Sequence, residues 1–351
     1  MPEVCRLRLL FLCFALVGSC VAEREVRAAR STYRADPEYL IDHWEAEDGL
    51  PENSATAIAF GPDGFLWFGT WSGLVRFDGL EFVVFDPKNT PGLPGAAIVN
   101  LHADRRGRIW ASTGNGLAVR EGSSWRHIGT NEGWAGSYVR TFADHPNGDV
   151  LFTTFDGHVL ECVDERIREL PRPPGEPDQG YFGMVDAGRS WVLQNRFFGY
   201  FADGEWVSAR TLGDEIGRPE VTGTGAQGGG FWALLGRSLI LVRGGKEVRH
   251  HLVTQKLGGL WSMKEDSRSN LWFASFDSGL ARVAPDGSLR RWSNGTGLAA
   301  QGVRGVAEDG EGNFWVGTSG GGLTRFRPRR ATDASFGTQL ADRPPRLCRS
   351  A

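Results

Sequence analysis

Cysteine is scarce in this chain, which has five among 351 residues, and three of the five lie within the first 22. The other two, Cys162 and Cys348, are too few to form the disulfide framework of a small secreted domain. We expect both to be unpaired thiols. No Cys-x-x-Cys or His-Glu-x-x-His spacing occurs, so these common metal-binding motifs are absent from the sequence.

The sequence also lacks an apolar run long enough to span a bilayer, which takes roughly 20 residues. The run from Leu9 to Val17 is much shorter, follows Arg6 and Arg8, and precedes small residues up to Ala22. Residues 1–22 are therefore predicted to be a secretory signal peptide, which makes the protein periplasmic or secreted. An alternative is that residues 17–20 act as a lipobox and make Cys20 the lipid-carrying N-terminus of a lipoprotein.

A basic excess is missing too. The formal net charge is −3, with 39 basic and 42 acidic residues, which argues against a nucleic-acid partner. No segment has a sustained helical stripe. Short β-prone runs with a period of two instead alternate with turns such as Pro62-Asp63-Gly64, which is typical of antiparallel hairpins.

Glycine and tryptophan are frequent, with 49 and 13 residues, and an internal repeat explains both. Glycine forms the turns of each repeat, and tryptophan packs between repeats. Aromatic anchors stand at Trp67, Trp110, Phe152, Trp191, Trp232, Trp272 and Trp315. Their separations are 43, 42, 39, 41, 40 and 43 residues, a period in the range of four-stranded propeller blades.

Seven anchors predict an all-β fold, a seven-bladed β-propeller of four-stranded blades over residues 37–328. A single blade cannot bury both of its faces, so radial repetition has to close the ring. The last repeat stops after its third strand at 323–326, and residues 42–45 have the pattern of a fourth strand. We therefore expect an N-terminal strand to complete the last blade, and deletion of 37–47 to cost far more stability than a cut at 329–351. Residues 329–351 have hardly any apolar pattern and are expected to form a disordered tail.

The repeated residues resemble those of two-component regulator propellers, the periplasmic sensor propellers of hybrid histidine kinases and some diguanylate cyclases. The match is nearly complete from Asp48 to Phe82 and from Gly312 to Phe326, partial at 107–125 and 270–292, and poor across 145–250. The resemblance implies ligand sensing. Family members usually continue into a membrane helix and a kinase or cyclase domain, which do not follow the repeats here. The signalling output is thus expected from a membrane-bound histidine kinase or cyclase partner, or it is absent because the gene is truncated.

A ligand is expected on the face of the ring that carries the connections between blades and the second-to-third strand turns. Residues there differ from blade to blade, as in a site grafted on a symmetric scaffold, and their chemistry suits a small polar molecule or an oligosaccharide. The candidates are Asn53, Trp71, Asn115, Trp134, Tyr138, Asp156, Tyr181, Arg196, Arg237, Trp261, Asp277 and Ser319. The alternative is that these are ordinary solvated loop residues.

The leading hypothesis is a non-enzymatic sensor without a cofactor or a metal. A second hypothesis is a lyase, because the streptogramin lyases are propellers of similar repeat texture that use a histidine base and a divalent metal on the same face. Only His158 comes close to such a position in this sequence. A third hypothesis is a scaffold that binds proteins on its rim.

Overall fold

The computed structural model describes residues 36–134, 136–174, 182–194, 197–211, 221–252 and 257–329. The predicted signal peptide, Cys348 and residues 330–351 of the predicted tail lie outside this part of the chain. An N-terminal strand, β1 (Tyr39–Trp44), and a short 3-10 helix, Ala46–Asp48, precede the first complete repeat.

Seven antiparallel sheets of four strands follow one another along the chain. Blade 1 contains β2 (Ala57–Phe60), β3 (Leu66–Gly69), β4 (Leu74–Phe77) and β5 (Phe82–Phe85). Blade 2 contains β6 (Ile98–Ala103), β7 (Ile109–Thr113), β8 (Gly116–Glu121) and β9 (Ser124–Ile128). A second 3-10 helix, Thr130–Glu132, leads into blade 3, with β10 (Val139–Asp144), β11 (Val150–Thr154), β12 (Val159–Val163) and β13 (Arg166–Glu169).

Blade 4 contains β14 (Phe182–Asp186), β15 (Arg189–Leu193), β16 (Phe197–Ala202) and β17 (Glu205–Thr211). Blade 5 contains β18 (Val221–Gly225), β19 (Phe231–Leu235), β20 (Ser238–Arg243) and β21 (Lys246–Leu252). Blade 6 contains β22 (Leu260–Glu265), β23 (Leu271–Ser275), β24 (Gly279–Val283) and β25 (Leu289–Trp292). Blade 7 contains β26 (Val303–Glu308), β27 (Phe314–Thr318) and β28 (Leu323–Pro328).

The N-terminal strand completes the last blade, as the sequence predicts. The strand order of blade 7 is β1-β28-β27-β26, with Tyr39 opposite Pro328 and Trp44 opposite Leu323. The innermost strands of consecutive blades contact one another around the whole ring. The fold is therefore the predicted seven-bladed, all-β propeller, closed without a free edge on β28.

The core lies between the blades, where the repeat anchors pack. Each of the seven anchors stands in the second strand of its blade, and all are buried. Trp272, for example, stacks on Phe314 of the next blade with ring centroids 4.1 Å apart. The predicted role of tryptophan between blades is confirmed. The same packing buries the Cys162 thiol, which forms no disulfide.

A glycine is required where the third strand of blade 7 begins. Gly322 has a φ of +63°, and a Cβ at this position would collide with the backbone carbonyl of Trp44. A side chain would thus strain the backbone and push β1 away from β28.

An aspartate in the first turn of three blades fixes the indole of the anchor that follows it. Trp272 Nε1 donates to Asp266 Oδ2 at 2.7 Å, and the pairs Trp110–Asp104 and Trp315–Asp309 repeat the bond at 2.8 Å each. In blade 1 the equivalent residue is Gly61. There Trp67 Nε1 is buried and has no hydrogen-bond partner among the described residues.

Gly61→Asp is therefore expected to stabilise the protein by about 1 kcal/mol, because it supplies an acceptor for a buried donor and removes the backbone freedom of glycine. A Cβ at this position would collide with Asp63 Oδ1 and lie 2.9 Å from Trp67 Nε1, so the side chain of Asp63 has to rotate aside and the indole has to shift slightly. Urea unfolding measures the change. Gly61→Ala is the matched control, since it lacks the acceptor, and a gain of equal size in both variants would contradict the hydrogen-bond explanation.

The histidine of the closing strand predicts a pH dependence of folding. Burial lowers the pKa of His43 from 6.5 to about 4, an effect that the charge of Asp42 opposes only in part. The unfolded chain thus binds more protons than the folded one between these values, so stability is complete above about pH 6.5 and is lost as the pH falls towards 4. The loss should reach about 3 kcal/mol.

This prediction is checked by urea unfolding at pH 7.0 and pH 4.5. His43→Gln is expected to flatten the pH dependence over this interval, whereas His127→Gln, at an exposed histidine, should leave it unchanged. Identical slopes for wild type and His43→Gln would disprove the assignment.

Candidate functional site

The central channel contains a cavity with a volume of about 950 Å³. We call the end with the blade-to-blade connections and the second-to-third strand turns the upper face, and the opposite end the lower face. A further cavity of about 330 Å³ lies toward the upper face, where Phe155 from a blade 3 turn forms part of its wall. Val99, Arg140, Phe182 and Trp261 line both cavities and therefore lie between them.

Four innermost strands have a β-bulge near their upper ends. The pairing register skips one residue in β6, β10, β22 and β26, and the skipped residues are Val99, Arg140, Trp261 and Arg304. A bulge bends the strand and re-aims the extra side chain. All four residues line the channel, so the bulges form one layer of side chains there, which we call the bulge layer.

Arg304 is the centre of a cluster in the bulge layer of blades 1, 6 and 7. Its guanidinium carbon lies 5.6 Å from the ring centroid of Trp71, 4.7 Å from Trp261 and 5.1 Å from Phe276. Its Nε donates to Ser319 Oγ at 2.9 Å. Partial burial lowers the pKa of Arg304, but a guanidinium remains charged at neutral pH.

Two rings of this cluster are open to solvent, since 43% of Trp71 and 47% of Phe276 is exposed. Large aromatic side chains held beside a cation at the mouth of a cavity offer both stacking area and charge. This combination is typical of a recognition site.

A second cation–aromatic group lies across the channel. The Arg140 guanidinium carbon is 4.3 Å from the ring centroid of Phe182 and 5.3 Å from that of Phe155. Burial lowers the pKa of Arg140 to about 10, so it too is charged at neutral pH. Phe155 contacts Trp261 with centroids 6.0 Å apart, which joins this group to the Arg304 cluster.

The lower half of the channel has different chemistry. His102 Nε2 lies 2.8 Å from Asp144 Oδ1, and the His102 ring stacks on Phe142 at 5.4 Å. Lys264, whose side chain is exposed, also lines the channel at this depth, three residues along β22 from Trp261. Desolvation by the channel walls lowers the pKa of Lys264 more than Glu308 and Glu265 raise it.

The structure brings three of the predicted site residues together, namely Trp71, Trp261 and Ser319. Four others, Asn115, Tyr138, Asp156 and Asp277, are exposed on upper-face turns, as is Arg237. Asn53 is engaged in its loop, where its Oδ1 accepts a hydrogen bond from Ala46 N at 2.6 Å. Tyr181 and Arg196 lie outside the described residues.

Trp134 is not at the channel mouth, which corrects the sequence-based placement. Only 6% of it is exposed, and its ring packs 5.9 Å from Phe152 in the core between blades. The preceding Gly133 has a φ of +90° and turns the chain so that the indole points inward. The repeat indicates this burial, because Trp134 occupies the position of Leu50 and Leu298 in other repeats, and both leucines are buried.

The sequence reasoning missed Arg140, Phe155, Phe276 and Arg304. The arginines stand in innermost strands, where nothing in the local pattern marks an extra residue. The two phenylalanines stand in turns where the predicted candidates were the next residues, Asp156 and Asp277.

The fold and this site define a β-propeller domain with a ligand-sized channel. Two segments, residues 49–72 and 297–320, match the family model of the two component regulator propeller. They coincide with the first and last repeats, so the resemblance noted in the sequence is confirmed there. No protein among the curated sequences matches the chain.

Solved structures of several kinds share the fold. The extracellular domain of a protein described as a hybrid two component system of B. thetaiotaomicron is 18% identical, with a TM-score of 0.65 over 82% of this chain and 42% of that one. Virginiamycin B lyase from Staphylococcus aureus is 14% identical, with a TM-score of 0.66 over 83% and 99%. The WD40 propeller domain of Doa1 is 12% identical, with a TM-score of 0.60 over 86% and 99%.

At these identities the likeness establishes the fold, and the chain spans about two fifths of the length of the two component structure. The domain thus resembles the extracellular domains of two-component systems in both its repeats and its architecture. Among the described residues, no helix has the length and apolarity required of a membrane span.

Proposed function

We propose that this propeller is an exported, non-enzymatic sensor module of a two-component-type signalling system, which binds a small molecule at the upper mouth of its channel. The family repeats and the fold support the signalling context. The observation that carries the proposal is the Arg304 cluster, in which aromatic rings from blades 1 and 6 surround a cation from blade 7 that lines the channel cavity.

Binding would be transmitted through the turns of this mouth. Trp261 and Arg304 stand on innermost strands, whereas Trp71 and Phe276 stand on turns. The backbone N–H of Trp71 donates to Glu52 Oε1 in the connection from blade 7 to blade 1. A ligand that stacks on Trp71 would therefore also reposition this connection, and with it the surface offered to a membrane-bound partner.

A thermal-shift screen of the full chain against oligosaccharides, amino acids and organic acids tests the proposal. A ligand at a hundred times its Kd should add about 2.7 kcal/mol to the free energy of unfolding. Trp71→Ala and Arg304→Gln are expected to weaken the binding of a hit at least roughly tenfold, since each removes a direct contact. Leu80→Ala, at a side chain that is 71% exposed on the outer part of blade 1, is the control. A hit that both site variants bind as tightly as wild type would contradict the site, and a screen without hits would contradict sensing of small molecules.

One observation keeps the lyase as a second candidate. His158 lies on the upper face, 2.6 Å from Glu169 Oε1 and 3.7 Å from Asp156 Oδ2, so a base with two carboxylates is present there. Within the described ranges, however, no three His, Cys, Asp or Glu side chains meet as a ligand set for a metal. A thermal shift with divalent metal alone that His158→Ala abolishes would favour the lyase over the sensor.

A further inference from the structure

Charge is distributed unevenly along the channel. The bulge layer contains two cations, Arg140 and Arg304, and no carboxylate. The acidic residues Asp144, Glu265 and Glu308 instead stand at the lower ends of β10, β22 and β26. These strands rise about 3.3 Å per residue, so four residues, or roughly 13 Å, separate the acidic level from the bulge layer.

The carboxylates at the lower end already have partners. Asp144 pairs with His102, and Glu265 Oε2 accepts the backbone N–H of Gln227 at 2.7 Å. Glu308 accepts both the backbone N–H and the hydroxyl of Ser267, at 2.6 and 2.5 Å. They therefore do not neutralise Arg304.

Arg304 differs from several partly or fully buried arginines of this protein. Arg108, Arg282, Arg290 and Arg325 each pair with a carboxylate within 3.0 Å. Among the described residues no carboxylate lies within ion-pair distance of Arg304. Of its five N–H donors, Nε donates to Ser319, and neither terminal nitrogen has a protein acceptor in the same part of the chain. A partly buried guanidinium with unused donors is costly unless something else accepts from them.

Lys264 adds a third cation below the bulge layer. Its ammonium group forms no hydrogen bond or ion pair with the described residues, and the residue lines the channel cavity of about 950 Å³. Glu265 is the next residue of β22 and Glu308 ends β26, but both carboxylates are hydrogen-bonded elsewhere. A negative group entering the channel from the upper face would thus meet Arg304 and Arg140 first and Lys264 behind them.

We propose that the channel recognises a small organic anion, in which a carboxylate or a phosphate monoester lies between Arg140 and Arg304 and an apolar or aromatic body stacks on Trp71 and Phe276. Guanidinium groups bind both kinds of anion through paired N–H donors, and the rings supply the stacking surface. Arg140 and Arg304 both line the channel cavity of about 950 Å³, a volume within the range of small-molecule sites. The proposal rests on the proposed function, whose ligand class it specifies.

Four probes that share one ring and differ in charge test it: benzoate, phenyl phosphate, benzyl alcohol and benzylamine. Titration calorimetry on the full chain at constant ionic strength should detect benzoate or phenyl phosphate and not the neutral or cationic probe. Arg304→Gln is expected to weaken the anion roughly tenfold or more, and Arg304→Lys, which keeps the charge, considerably less. Lys264→Met should weaken it as well.

Arg268→Gln and Lys88→Met are the matched controls, because these cations are exposed and lie on turns away from the bulge layer. Urea unfolding of each variant separates lost binding from lost folding. Binding of one anion alone supports the proposal and identifies its head group as carboxylate or phosphate.

Three outcomes would overturn it. Equal affinity for benzoate and benzyl alcohol excludes recognition of charge, and so does anion binding that Arg304→Gln leaves intact. If no anion binds but a neutral ligand from the screen does, the anion inference is wrong and the sensor function stands. If neither the probes nor any screened compound binds, both are wrong.

Discussion

Deletion of residues 36–45 is expected to leave a chain that no longer folds as a monomer. Tyr39 and Ile41 are buried, and Trp44 stacks on Trp315 at 5.4 Å, so the deletion removes three side chains from the core. At about 2 kcal/mol for each buried side chain, roughly 6 kcal/mol is lost from hydrophobic burial alone. The whole free energy of unfolding of a typical domain is only about 5–15 kcal/mol, so this loss removes a large part of it.

The deletion also removes charges that join the two ends of the chain. Asp42 accepts from Arg325 at 2.9 Å and from Arg327 at 2.7 Å, and both arginines lower its pKa. The edge of β28 becomes free to pair with another chain. Size-exclusion chromatography and circular dichroism should thus show aggregated protein with little cooperative unfolding.

A circular permutant is the control for this deletion. The backbone N–H of Arg329 donates to the carbonyl of Glu38 at 2.8 Å, so a short glycine linker can join residue 329 to residue 36. A chain that starts at Gly49 and ends with residues 36–48 should fold with a stability close to wild type, since it keeps every strand of blade 7. If the deletion variant unfolds as cooperatively as wild type, closure by β1 is not what stabilises the ring.

Trp272→Ala is expected to cost about 4 kcal/mol, the middle of the range for an aromatic side chain in a core. Its ring is 1% exposed and stacks on Phe314 and, at 5.3 Å, on Trp292. The substitution also removes the N–H that Asp266 accepts and leaves a buried carboxylate with one partner fewer. The urea midpoint measures the loss, and Trp272→Phe should lose less because it keeps most of the packing.

Trp71→Ala is the matched comparison. Trp71 occupies a turn and is 43% exposed, so its removal should change the free energy of unfolding by no more than about 0.5 kcal/mol while ligand binding falls. Similar losses of stability in the two variants would show that the Trp71 ring belongs to the core and would weaken the case for the site.

Much of the fold was predictable because it repeats. The strands of each blade form hydrogen bonds with their antiparallel neighbours, and each blade buries one aromatic anchor against the next blade. Every repeat therefore has the same turn residues and anchor in nearly the same order. Trp67 and Trp315 stand almost 250 residues apart, and both occupy the second strand of their blade. The closing strand was predictable for the same reason, since a repeat that lacks its fourth strand exposes an edge that another segment has to cover.

The site was predictable only in outline. Trp71, Trp261 and Ser319 were found by their place in the repeat, but Trp134 was placed wrongly, because it occupies the position of Leu50 and packs in the core between blades. Arg304 was missed, and it is the residue that unites the cluster.

By itself, then, the sequence determined the number of blades, the strands of each and the closure of the ring, since these follow from local periodicity and from the need to bury both faces of every sheet. Only the tertiary structure decided which side chains meet in the channel. Two physical reasons account for this. A β-bulge adds one residue without a local signature and turns Arg304 inward. The radius of the ring then brings that arginine beside Trp71, Trp261 and Phe276, which belong to other blades and whose contact no periodic pattern specifies.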